Sequence, residues 1–159
     1  MKRGSTIFLK VVIVLIGVVV FAGMIRFPVT EGRAANLSPL SIYSDPFLWY
    51  VYVAAIPFFV ALYQAFKLLG YIGQNKVFSL NSVKALRTIK YCAIIQSILI
   101  VMAILYIRTV HAQDDDPAGA IALGILATFI SVVIATAAAV FEKLLQSAVD
   151  IKSENDLTV

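Results

Sequence analysis

Four apolar runs, at 7–27, 47–66, 91–107 and 118–141, constrain what this chain can fold into more than any motif it carries. Each is close to the roughly 20 residues that an α-helix needs to cross about 30 Å of hydrocarbon. A soluble core cannot absorb them. Of the 159 residues, 61% are hydrophobic and only 14% are charged, with a mean hydropathy of +0.93, so most of the chain must meet lipid. The sequence predicts an all-α integral membrane protein: one membrane domain over 1–159, built as a bundle of four transmembrane helices.

The first run follows Lys2, Arg3 and Lys10 and ends at Arg26, Phe27 and Pro28. A basic start before an apolar run is also how a secretory signal begins, but the small-residue pair Ala34-Ala35 lies well past the run and follows Arg33. A retained helix, with Lys10 and Arg26 snorkelling to opposite interfaces, is the better reading. The connector after it is rich in turn formers, and its Asn36-Leu37-Ser38 triplet, followed by Pro39, reads as a plain turn. The second run opens on Phe47, Trp49, Tyr50 and Tyr52, residues that settle at headgroup level. Pro57 near its middle should kink the helix, as a packing feature in preference to a hinge. Gly70 and Gly73 are expected to let the chain turn at its end.

Between the second and third runs lies the one long polar and basic stretch, 74–90, QNKVFSLNSVKALRTIK. Ser79 or Asn81 is a candidate N-cap, and Leu80, Val83, Leu86 and Ile89 recur at helical spacing. An amphipathic helix over 79–90 is expected, lying at the interface or entering the third span directly. Lys84, Arg87 and Lys90 fall off its apolar face and can meet phosphates. In the third span, Gln96 is expected to bond a neighbouring helix, the alternative being a polar cavity with Cys92 one turn below. Cys92 is the only cysteine, which excludes an intrachain disulfide and a cysteine-based metal cluster.

The loop after the third span holds His111 and Asp114-Asp115-Asp116 before Pro117. Hard-cation sites need several oxygens converging from a shaped loop, and the EF-hand spacing is missing. A solvated turn that caps the next helix is favoured over a metal site. In the fourth run Ala120, Gly124 and Thr128, then Ser131, Ala135 and Ala139, fall at i, i+4, i+8 and make a smooth packing face. After Glu142 and Lys143, Leu144, Leu145, Ala148 and Ile151 continue a helical stripe into a tail, 142–159, whose last residues from Ser153 are expected to be mobile.

Placing both termini and the 74–90 stretch on one side collects Lys2, Arg3, Lys10, Lys67, Lys76, Lys84, Arg87, Lys90, Lys143 and Lys152 there, against Arg26, Arg33 and Arg108 on the other. That bias predicts cytosolic termini in a multi-pass protein of the cell membrane. The net charge of +4 is thus a topology signal, and direct nucleic-acid binding is not expected.

Asn75 to Arg87, NKVFSLNSVKALR, and the ending Glu154-Asn155-Asp156-Leu157-Thr158-Val159 resemble a bacterial family of small four-helix membrane proteins, domain of unknown function 2975. The resemblance covers nearly the whole chain. It implies no activity and brings no catalytic residues. Members are often encoded beside a small helix-turn-helix regulator, which points by association to a cytosolic DNA-binding partner. The residues expected to meet a partner or lipid are Lys76, Phe78, Ser79, Asn81, Lys84, Arg87 and Lys90, with Glu154, Asn155, Asp156 and Leu157 of the tail.

Three functions compete. The first is a non-enzymatic regulator or sensor whose cytosolic face binds a partner. The second is a small, oligomeric transporter or channel lined by Pro57, Gln64, Gln96, Thr128 and Ser131, though ionisable groups are missing from the deep parts of the spans. An immunity or stress-protection role needs only a packed bundle and stands beside it. The third is an enzyme, for which one His and one Cys near opposite faces offer no acid–base or nucleophile–base pair. No cofactor is expected.

Overall fold

The computed structural model describes residues 3–30, 44–110 and 118–157. They form four helices: α1, Arg3–Thr30; α2, Pro46–Gly73; α3, Leu80–Val110; and α4, Ala118–Leu157. All four are long and apolar enough to cross a membrane. The residues of the expected aspartate turn, Asp114–Asp116, and those of the expected turn at Asn36, with His111, lie outside the described residues.

The helices run up and down in order, each packed most extensively on its neighbour in sequence, with α3–α4 the tightest pair and α1–α2 the loosest. At one end Lys10 sits over the Phe66 ring, 4.9 Å from its centroid, and Thr6 lies against Gly73. At the other, the Tyr52 hydroxyl donates to the Met24 carbonyl at 3.3 Å, the Tyr50 hydroxyl donates to that of Leu99 at 2.6 Å, and the Phe47 and Tyr106 rings stack with centroids 5.5 Å apart. Lys10 thus packs against α2 near Phe66 and Gly70.

Burial is unevenly distributed along the helices. The buried apolar residues are Val83, Ala85, Leu86, Ile89, Cys92 and Ala93 on α3, facing Ala135 and Ala138 on α4. Most large side chains along the spans, such as Val14, Val18, Leu126 and Phe129, are exposed instead. The physical reason is the solvent. Lipid tails are as apolar as leucine, so burial there gains little and falls to small residues such as Ala93, Ala135 and Ala138 where backbones approach, whereas Val83, Leu86 and Ile89 on the helix end emerging into water gain the full hydrophobic term.

Residues 80–90 are the opening turns of α3, so of the two placements expected for this stretch the structure has it entering the third span directly, with no separate interfacial helix among the described residues. Two local expectations are revised. The chain turns after α2 on Asn75 and not on a glycine: Asn75 has φ 57°, and Gly70 and Gly73 stay helical. The bonds Lys76 N–H to the Tyr71 carbonyl and Asn75 N–H to that of Ile72 close a Schellman cap, which needs a residue that tolerates the left-handed region. The stretch expected to be a mobile tail remains helical through Leu157, because 142–157 has no helix breaker. α2 also runs without a break through Pro57.

Candidate docking groove and its ion cluster

The α3–α4 seam is set by small residues. Gly124, Thr128, Ser131, Ala135, Ala138 and Glu142 follow one another at alternating steps of four and three, the spacing that keeps one stripe facing a partner helix. At Gly124 the approach is close: a β-carbon there would stand 2.7 Å from Ile104 Cγ1. The packing face therefore works within one chain. The hydroxyls of Thr128 and Ser131 donate to the carbonyls of Gly124 and Ala127 on their own helix. They offer no polar lining between helices. Gln96 does not act as the expected bond between helices: its Oε1 is buried and has no partner.

Glu142 ends this stripe, and it is the residue whose role the sequence concealed. Its Oε1 accepts from Arg87 Nε and its Oε2 from Lys90 Nζ, both at 2.7 Å. The Glu142 side chain is only 11% exposed, so both its oxygens are held by protein. Lys90 also lies over the Tyr91 ring, 4.7 Å from its centroid. Two of the three cations expected to face lipid or partner are thus engaged across α3–α4, while Lys84 stays exposed. Because charges are costly in hydrocarbon, this cluster marks where the membrane interior must end on α3 and α4. Beyond it α4 continues about 20 Å further at 1.5 Å per residue.

That extension faces the α2–α3 turn across a groove of about 770 Å³, lined by Tyr71, Gln74, Asn75, Lys76, Phe78, Ser79 and Asn81 on one side and Ala148, Ile151, Lys152 and Asn155 on the other. The turn wall is rigid. Ser79 is the N-cap of α3, its carbonyl taking the N–H groups of Ser82 and Val83. Ser82, fully buried, donates its hydroxyl to the Lys76 carbonyl at 3.3 Å and so ties the helix start to the turn. The sequence reading missed Ser82, although Ser-Leu-Asn-Ser has a polar residue at the third helical position, where capping partners sit. Of the expected site residues, Lys76, Phe78, Ser79, Asn81 and Asn155 line the groove. Lys84, Arg87, Lys90 and Glu154 do not, and Asp156 and Leu157 form the last turn of α4. Phe78 and Ile151 are 58% and 61% exposed, large apolar groups held at the end of the bundle away from its lipid-facing middle. No cluster of three potential metal ligands occurs among the described residues.

A second, smaller hollow of about 230 Å³ opens at the other end between Pro46, Phe47, Tyr50, Met102, Ala103 and Tyr106. Three of its six lining residues are aromatic.

With this geometry in view, sequence comparison supplies the lineage. A family model described as "Protein of unknown function (DUF2975)" matches residues 7–159. The chain belongs to this family. It is also 50% identical over 163 residues to the Uncharacterized membrane protein YoaS of Bacillus subtilis (strain 168), with each chain covered in full. No solved structure matches it. The family and this relative agree with the four spans in making the chain a membrane protein, and neither carries an activity.

Proposed function

We propose that the chain is a non-enzymatic regulator or sensor of the cell membrane, with both termini in the cytosol, that holds a soluble protein in the groove between the α2–α3 turn and the α4 extension. The observation that carries this reading is the pair Phe78 and Ile151, exposed on facing walls of one groove beyond the charged cluster. Large apolar groups in a rigid recess with a polar rim are how a binding surface differs from a solvated one. The spans favour this reading over a transporter, since among the described residues no Asp, Glu, Lys or Arg lies between Lys90 and Arg108 of α3 or between Ala118 and Glu142 of α4.

The test is photo-crosslinking in cells from position 78, with position 134, on the lipid-facing side of α4, as control. One soluble protein attached at 78, absent at 134 and lost in Ile151→Asp, supports the reading. Lipid alone at both positions overturns it.

A further inference from the structure

The charge and shape of the groove say what kind of segment it takes. Its two walls carry Lys76 on the turn and Lys152 on α4, both exposed, and neither has a carboxylate within salt-bridge distance among the described residues. No lining residue is acidic. Gln74, Asn75, Asn81 and Asn155 supply amides along the rim, and Tyr71, Phe78, Ala148 and Ile151 supply an apolar floor. At the same end of the bundle Glu142 pairs Arg87 and Lys90 internally, so those two cations are already engaged. The unpaired lysines sit where a ligand would lie.

We infer that the groove takes an acidic amphipathic helix of a soluble protein, its apolar stripe on Phe78 and Ile151 and its carboxylates against Lys76 and Lys152. This rests on the docking reading above and narrows it to one class of ligand. A helix-in-groove mode fits the form of the site: the α4 extension supplies one long straight wall, the capped turn supplies the other, and a hollow of this size admits a row of side chains. Rim cations then set association rate and salt dependence, while the apolar floor sets residence time.

The test uses the full chain in nanodiscs of neutral phosphatidylcholine and a labelled helical peptide of about 16 residues, with Leu at i, i+3, i+7 and i+10 and Glu on its flanks. A matched peptide carries Lys for Glu. The acidic peptide is expected to bind and the basic one not to. The double variant Lys76→Glu with Lys152→Glu should weaken the acidic peptide about tenfold at low salt, a loss that shrinks as salt rises, and should accept the basic peptide instead. That exchange of preference requires a folded groove, so it separates loss of charge from loss of structure. Equal binding of both peptides to the unmodified chain overturns the inference. So does complete displacement of the acidic peptide by adding phosphatidylglycerol to the nanodisc, which would assign the lysines to lipid, or tighter binding of a peptide copying 144–159, which would assign the groove to a second copy. If crosslinking from position 78 finds a soluble partner while the acidic peptide does not bind, the docking reading stands and this one falls. If crosslinking finds lipid alone, both fall.

Discussion

Glu142 of α4 accepts the side chain of Lys90 on α3 at 2.7 Å while its other oxygen is taken by Arg87 one turn earlier. One carboxylate therefore joins the two most closely packed helices at the level where they leave the membrane. Removing it leaves the half-buried ammonium of Lys90 without its acceptor, which costs more than the pair itself contributes. Glu142→Ala is expected to lower the melting temperature by on the order of 5 °C. Cys92, the sole cysteine and buried, supplies the readout, because a thiol-reactive dye labels it only as α3 opens. The exchange Glu142→Lys with Lys90→Glu should recover part of the loss.

Gly124→Ala is expected to destabilise by about 1–2 kcal/mol, because the new methyl meets Ile104, whose branched side chain has few rotamers to retreat into. Adding Ile104→Ala should relieve the clash. If Gly124→Ala alone melts like the unmodified chain in the same thiol assay, the close approach of α3 and α4 is wrong.

Gln96→Leu is expected to be neutral or to stabilise by up to about 1 kcal/mol, since its carbonyl oxygen is buried without a donor. A loss of more than that would show that the amide has a partner in the membrane.

Asn75→Val should cost about 1–2 kcal/mol, because a β-branched residue resists φ 57°. Asn75→Gly should be tolerated. Urea titration of both variants in detergent, with equal slopes, checks the pair.

The spans and their order were legible because hydropathy over some twenty residues is a strong signal. The α4 packing face was partly legible: a fixed step of four found Gly124, Thr128, Ser131 and Ala135 but ran on to Ala139, where the structure buries Ala138. The alternating step of a helix seam would have reached Glu142 and shown that it faces α3. Lys84, Arg87 and Lys90 were grouped by their spacing on one helix, yet Arg87 and Lys90 are both bonded to Glu142, and an acceptor 52 residues from Lys90 is invisible to local periodicity. The turn wall of the groove was readable from the 74–90 stretch. Ala148, Ile151 and Asn155 of the opposite wall were named too, but not their meeting with the turn, because the pairing of Phe78 with Ile151 depends on how far α4 extends past the membrane.

Between Ala118 and Leu157 α4 has no proline and no break. A rod without a joint cannot lean at one end only. When the bilayer thins or thickens, a helix answers by changing its tilt, and here any such lean is carried undamped past Glu142 to Ile151 and Asn155. The far wall of the groove is thus one piece with a span that stands in lipid, and the two ends of that piece cannot move independently.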